Sequence, residues 1–276
     1  MPATPTPDTI VLIHGLWMTP RSWEHYAERY RSRGFTVLTP AWPGVEGEVE
    51  ALNADPSPIA KLDVDKVVDH YDALIRALPA PPIIMGHSFG GAFAEILVDR
   101  GLGAAGVGLS PAPVKGVRDL PLSTLRASWP LLSPFKRGEA VPLSAKQFHY
   151  AFANTMSEEE SDAIYHRYHV PGPATLLQEA AFANFHRDAP TKIDFHHAGR
   201  APLLLIGFGE DHVVPPSVTR HAEEHYDQKA SLTEFKQFPG RPHFPGAPGW
   251  EEVADYALDW AVEHAAQPSP GPAAAV

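Results

Sequence analysis

Residues 83–92 read Ile83-Ile84-Met85-Gly86-His87-Ser88-Phe89-Gly90-Gly91-Ala92, and the fold is decided by how this stretch is read. Behind Pro81 and Pro82, a short apolar run of strand type passes straight into Gly-His-Ser-Phe-Gly, an instance of G-x-S-x-G. Ala92-Phe93-Ala94-Glu95-Ile96-Leu97 then continues as a helix. Strand, sharp turn and helix in that order are what a nucleophile elbow requires. The turn forces the central residue into a strained conformation and lifts its side chain above the sheet. Gly86 and Gly90 leave room for the strand and helix backbones to approach closely. Ser88 is thereby set at a helix N-terminus, where free N–H groups favour developing negative charge. A Gly-Ser turn without a ligand is the bland alternative, and it leaves the matching flanks unexplained.

Upstream, residues 9–13 are a compact apolar strand that ends in His14-Gly15-Leu16-Trp17. Thr19-Pro20 opens a helix with Trp23, Tyr26, Ala27 and Tyr30 on one face and Gly34 at its close. Residues 35–39 form the next strand, and a loop rich in Glu, Pro and Gly runs from Trp42-Pro43-Gly44 to about Lys61. Val64, Val67, Val68, Tyr71, Leu74, Ile75 and Leu78 mark an amphipathic helix leading to the elbow strand. Downstream, Gly101 ends the elbow helix and residues 104–109 are another buried strand. This alternation predicts an α/β fold: a mostly parallel central sheet flanked by helices on both faces.

The rhythm breaks over residues 116–199, where Pro-punctuated helical pieces replace the strand pattern. Ser144 with Gln147, and Ser157 with Glu160, have the spacing of capping boxes. The segment reads as a helical cap inserted into a core formed by residues 1–115 and 200–265. Its aromatics serve either as the cap's own small core or as pocket lining, and Trp129, Phe148, Phe152 and Phe182 are the candidates for lining. The sheet resumes at residues 202–209, followed by a helix over 216–227, a strand over 231–238 and a helix over 250–264. The Ala/Pro-rich residues 266–276 are expected to be a disordered tail.

Composition narrows the function. The 276 residues carry a formal net charge of −11, which disfavours nucleic acid and anionic membranes as partners. With no cysteine, disulfides, thiolate metal sites and cysteine nucleophiles are excluded. Residues 1–8 lack the basic and apolar regions of a secretory leader, and no apolar run reaches the length of a membrane span. A cytoplasmic protein is therefore expected.

A serine hydroxyl is a weak nucleophile until a base takes its proton and an acid orients that base. In open α/β sheets such groups gather at the carboxyl ends of strands. Asp211 lies two residues beyond the strand ending at Gly209, and His243 lies in the loop after the last strand. Glu210 competes for the acid role, and His14 and His87 are among the histidines that compete for the base. His14 is better suited to shaping the turn after the first strand, and His87 to packing inside the elbow. The order Ser88, Asp211, His243 is the chain order of this architecture.

Leu12-Ile-His-Gly-Leu16, Trp42-Pro-Gly44, Gly86-His-Ser-Phe-Gly-Gly91, Gly209-Glu-Asp-His-Val-Val-Pro215 and Pro242-His-Phe244 together resemble the α/β-hydrolase superfamily, of serine esterase or lipase type. These segments span nearly the whole core in the right order. One departure is Ala41, where the family often has Asp; that position lies outside the triad. The resemblance implies Ser88 as nucleophile, His243 as general base and then acid, and Asp211 as the acid that orients it. It implies an oxyanion hole from the backbone N–H groups of Leu16 and Phe89, each donor lowering the barrier by roughly 3 kcal/mol. It implies no cofactor and no metal. Because His243 must be neutral, activity is expected to fall below about pH 6. Trp17, Met18 and Phe244 flank these positions and join the candidate pocket residues.

The implied reaction is cleavage of a small, partly apolar carboxylic ester through an acyl-enzyme, with lactones, thioesters and small amides as further substrates. The superfamily also holds cofactor-free perhydrolases and hydroxynitrile lyases with intact triads, and non-catalytic ligand-binding proteins, so fold alone does not choose among them. Two other motifs carry less. His221-Ala-Glu-Glu-His225 fits an inverted zinc-protease pattern without a third ligand, and reads better as a charged solvated face. Gly101-Leu-Gly-Ala-Ala-Gly106 fits G-x-G-x-x-G but follows a helix and precedes a strand, the reverse of a dinucleotide site.

Overall fold

Apolar runs too short for helices become strands, and the amphipathic segments between them become the covering layers. The computed structural model describes residues 7–119 and 121–265. In chain order the first half comprises β1 (Thr9–Ile13), α1 (Glu24–Ser32), β2 (Thr36–Leu38), α2 (Val49–Ala54), α3 (Val64–Arg76), β3 (Ile83–His87), α4 (Phe89–Asp99) and β4 (Ala105–Leu109). Next come α5 (Leu122–Leu132), β5 (Ala140–Val141), α6 (Ala145–Phe152), α7 (Glu158–Tyr168), β6 (Gly172–Pro173) and α8 (Ala174–Ala181). The chain closes with β7 (Leu203–Phe208), α9 (Pro216–His225), β8 (Thr233–Phe238) and α10 (Trp250–His264).

Six strands form one sheet in the order β2-β1-β3-β4-β7-β8, with every neighbouring pair parallel. Because side chains alternate across a strand, each central strand feeds two cores. Val11, Ile13, Ile84, Leu203 and Leu205 face one core, shared with α3, α4, α9 and the inserted segment. Ile10, Leu12, Ile83, Met85, Leu204 and Ile206 face the other, filled by Trp23, Tyr26 and Tyr30 beside α1 and α10. β2 lies on one side of β1 and β3 on the other, so the order of the strands reverses there. Loops leaving the carboxyl ends of β1 and β3 diverge at that point and open a crevice.

The Glu/Pro/Gly-rich stretch is more ordered than its composition suggests. Val49 and Leu52 are buried and pull it into α2, and a 3-10 turn follows at Ile59–Lys61. The helix after Pro20 begins as a 3-10 turn whose first N–H groups are served by the Thr19 hydroxyl. Both capping boxes form: Ser144 pairs reciprocally with Gln147, and Ser157 with Glu160. The inserted segment is not purely helical, because Ala140 pairs with Pro173 and Val141 with Gly172 in a short antiparallel ladder. The tail expected to be disordered, residues 266–276, lies outside the described residues. Among the described residues no helix is long and apolar enough to cross a membrane.

Candidate active site

Ser88 caps the N-terminus of α4 with φ 56° and ψ −120°, a region L-residues rarely occupy. Surrounding backbone holds it there: its N–H donates to Leu109 O at 2.9 Å, and its carbonyl accepts from Gly91, Ala92 and Ala112. The two elbow glycines are required by contact distance. A Cβ on Gly86 would lie 1.9 Å from Gly90 O, and one on Gly90 would lie 2.1 Å from Ile13 O. β3, α4 and the end of β1 therefore meet backbone to backbone, and this fixes Ser88 beside the loop after β1.

That loop is braced by His14, whose ring stacks on Trp42 at 4.7 Å. His14 Nδ1 lies 3.0 Å from Gly15 O and Nε2 accepts the Trp42 N–H at 3.3 Å, so the neutral ring with its proton on Nδ1 fits both contacts. Burial lowers its pKa to about 4, consistent with that neutral state. Leu16 and Phe89 follow the two strand ends, and neither N–H donates to another described residue. Trp17 beside them has φ 63° and is pinned by two contacts with the insertion: its indole donates to Val141 O, and its carbonyl accepts from Val170.

Asp211 follows β7 and is buried. One carboxylate oxygen accepts the N–H groups of Val213 and Val214, at 2.7 and 2.8 Å. The other lies 2.6 Å from His243 Nδ1. Glu210, the rival acid, is exposed. His243 is wholly buried, with its ring between His87, 4.6 Å away, and Phe152, 4.8 Å away edge to face. His87 Nε2 donates to His243 O at 2.8 Å, since a carbonyl can only accept. Burial holds the His87 pKa far below the usual range, so it stays neutral and acts as a brace. His243 Nε2 is buried without a hydrogen-bond partner, and no hydrogen bond joins it to Ser88.

Ser88 opens onto a small apolar cavity of about 80 Å³. Its floor is Leu16, Trp17, Phe89, Ala112, Pro113, Val213 and Val214, and its roof comes from α5 and α8. Val213 and Val214, whose N–H groups hold Asp211, thus tie the carboxylate to the cavity wall, while Asp211 and His243 themselves lie behind the lining.

The sequence-derived pocket residues are placed unevenly. Trp17 lines the cavity, whereas Met18, Phe148 and Phe244 are buried elsewhere. Phe152 packs on the His243 ring rather than on the cavity. Trp129 and Phe182 are exposed and lie outside the lining. Large aromatics were weighted in the sequence, but a cavity needs small residues and one face of a helix. Thr124, Leu125, Ser128 and Leu132 recur at helical spacing and line the cavity with Leu177, Ala180 and Ala181. That periodicity was the available signal. His221, of the zinc-like motif, pairs with Asp119 at 2.8 Å in an open surface groove that shares no lining residue with the cavity at Ser88.

A family model described as "Alpha/beta hydrolase family" matches residues 10–268. No curated protein matches the chain. Among solved structures, an extracellular α/β-hydrolase from a Paenibacillus species superposes with TM-score 0.69 at 22% identity, over 92% of this chain and 98% of that one. A monoacylglycerol lipase from Paleococcus ferrophilus gives TM-score 0.65 at 22% identity, over 95% and 97%. A pyrethroid hydrolase from Sphingobium faniae JZ-2 gives 0.66 at 17% identity, over 93% and 98%. At such identities the likeness is one of fold, but the family model spans nearly the whole chain, and the chain therefore belongs to the alpha/beta hydrolase family.

Proposed function

We propose that the chain is a serine hydrolase that cleaves small, partly apolar carboxylic esters through an acyl-enzyme. The reading rests on one observation: a buried Asp211–His243 pair leaves Nε2 unpartnered, with the His243 ring against His87, the residue preceding a serine held in a strained turn. In the proposed cycle His243 Nε2 takes the Ser88 hydroxyl proton as Oγ attacks the ester carbonyl. Asp211 holds the Nδ1–H tautomer and offsets the imidazolium charge. The Leu16 and Phe89 N–H groups receive the oxyanion, helped by the positive end of α4. His243 then returns its proton to the departing alcohol, and water repeats the sequence to release the acid. No cofactor is needed at any step. Residues 116–199 act as the cap, whose α5 and α8 close the cavity from above. The likeness in fold to a monoacylglycerol lipase agrees with ester chemistry.

A chain-length series of chromogenic esters tests the proposal with wild type and Ser88→Ala. Wild type should turn over short esters, and Ser88→Ala should lose at least about 10³-fold in kcat with an unchanged melting temperature. A fluorophosphonate probe should label wild type alone. Equal turnover by the variant would refute the assignment.

A further inference from the structure

Among the described residues, Thr124 and Ser128 are the hydroxyl-bearing side chains that line the cavity besides Ser88. They lie four residues apart on α5 and so share one face. Thr124 Oγ1 is buried with no hydrogen-bond partner. Ser128 is buried as well and makes no side-chain hydrogen bond, not even to the carbonyl one turn back. The indole N–H of Trp17, also in the wall, is already committed to Val141 O. The roof therefore offers two unspent hydroxyls to a space otherwise walled by Leu, Ala, Val, Phe and Pro.

Buried hydroxyls are rarely left without partners, because each forfeits its hydrogen bonds to water on folding. The expense is recovered when a bound molecule supplies a partner, and not by a purely aliphatic one. We infer that Thr124 and Ser128 are specificity-determining residues that select esters bearing an oxygen acceptor or hydroxyl on the part that fills the cavity. The inference rests on the proposed ester hydrolysis at Ser88 and narrows its substrate class. The preferred ester is short, mainly apolar and oxygen-bearing, such as an oxo or alkoxy acyl ester, rather than a plain alkanoate. Each hydroxyl can donate as well as accept, so ketone, ether and alcohol oxygens all satisfy it.

Matched substrates test this. 4-Nitrophenyl pentanoate is compared with its 4-oxo counterpart, each rate divided by the rate of hydroxide-catalysed hydrolysis to remove intrinsic reactivity. A second pair places the oxygen on the alcohol side. Wild type should favour the oxygen-bearing member of at least one pair by about 10- to 100-fold in kcat/KM. The doubly substituted Thr124→Val, Ser128→Ala protein keeps the shape of the wall and should bring that ratio close to one. A wild-type ratio near one in both pairs, or a ratio that the double substitution leaves intact, overturns the inference. If no ester is turned over, the hydrolase proposal fails separately. Binding then decides: 4-oxopentanamide should raise the wild-type melting temperature more than pentanamide does, and the double variant should lose that difference. Equal shifts in wild type overturn the inference.

Discussion

On the floor of the cavity, positions are set by the backbone; on its roof, by side chains. Ser88, Leu16 and Phe89 stand where they do because Gly86 and Gly90 allow three backbones to touch. Asp211 is held by two main-chain N–H groups, and His243 by Asp211 and a buried histidine. The roof is held instead by side chains: Gln178 of α8 donates to Ser133 O, and Glu179 accepts the Val64 N–H. α5 presents Thr124, Leu125, Ser128 and Leu132 to the cavity, while on the same helix Leu122 and Trp129 are 85% and 73% exposed. Every large apolar side chain found exposed among the described residues, Phe135, Phe182 and Phe185 included, lies in the inserted segment. On the proposed function, reaction chemistry falls to rigid geometry, and selectivity to a surface held by side chains.

The comparison breaks most severely at the elbow. Gly86→Ala puts a methyl 1.9 Å from a main-chain oxygen and should leave little folded protein, read as loss of a cooperative thermal transition. A normal transition would mean that the floor yields more easily than its contacts indicate. Next in size, Asp211→Asn should lower kcat by about 10³- to 10⁴-fold with KM little changed, because the base loses its required tautomer. A loss under about tenfold would show that His243 is held by its other neighbours alone.

A third test separates the helix beneath the serine from the roof. Glu95, two turns along α4, is buried and accepts the Tyr226 hydroxyl at 2.6 Å. Burial raises its carboxyl pKa to about 7, the Tyr226 hydrogen bond and nearby Arg200 pulling the other way. Below the unfolded value of about 4.5 both states hold the proton, so nothing is lost. As pH rises from there to about 7, the unfolded chain releases the proton first and stability falls; above that it levels off. Glu95→Gln removes this slope, and its stability advantage over wild type, read from denaturant melts, should grow between pH 5 and pH 8, reaching roughly 3 kcal/mol at most. An advantage independent of pH would place the charge elsewhere. The smallest effect belongs to the roof's outer side. Trp129→Ser should change stability by less than about 0.5 kcal/mol and ester turnover by less than about twofold, in denaturant melts and steady-state assays.

The floor was legible in the sequence because backbone constraints leave their mark on residue type. Only glycine fits at 86 and 90, strand ends punctuate the chain, and Asp211 and His243, which the structure pairs, follow in the expected order. α10 spans the residues its apolar face indicated. The roof was legible only as helix. Aromatic content drew attention to Trp129, Phe148, Phe152 and Phe182, yet none lines the cavity. Burial of an aromatic says that it packs, not against what; the lining is set by which face of α5 turns inward. Two short elements also escaped. α2 has too few turns for a periodic pattern, and the pairing of β5 with β6 depends on residues thirty positions apart.

Phe152 ties the two regions together. It ends α6, its ring rests against His243, and its carbonyl accepts the N–H of Phe244. α6 is thus stitched to the loop carrying the imidazole, while α5 and α8 line the cavity that Ser88 opens onto, and α5 reaches α6 through Arg126, whose guanidinium lies over the Tyr150 ring. Transplanting the insertion from a relative would therefore succeed unevenly. On the proposed function, a graft that exchanges α5 and α8 should swap one substrate range for another, whereas one that discards the end of α6 should unmoor the histidine and leave an inert chimera.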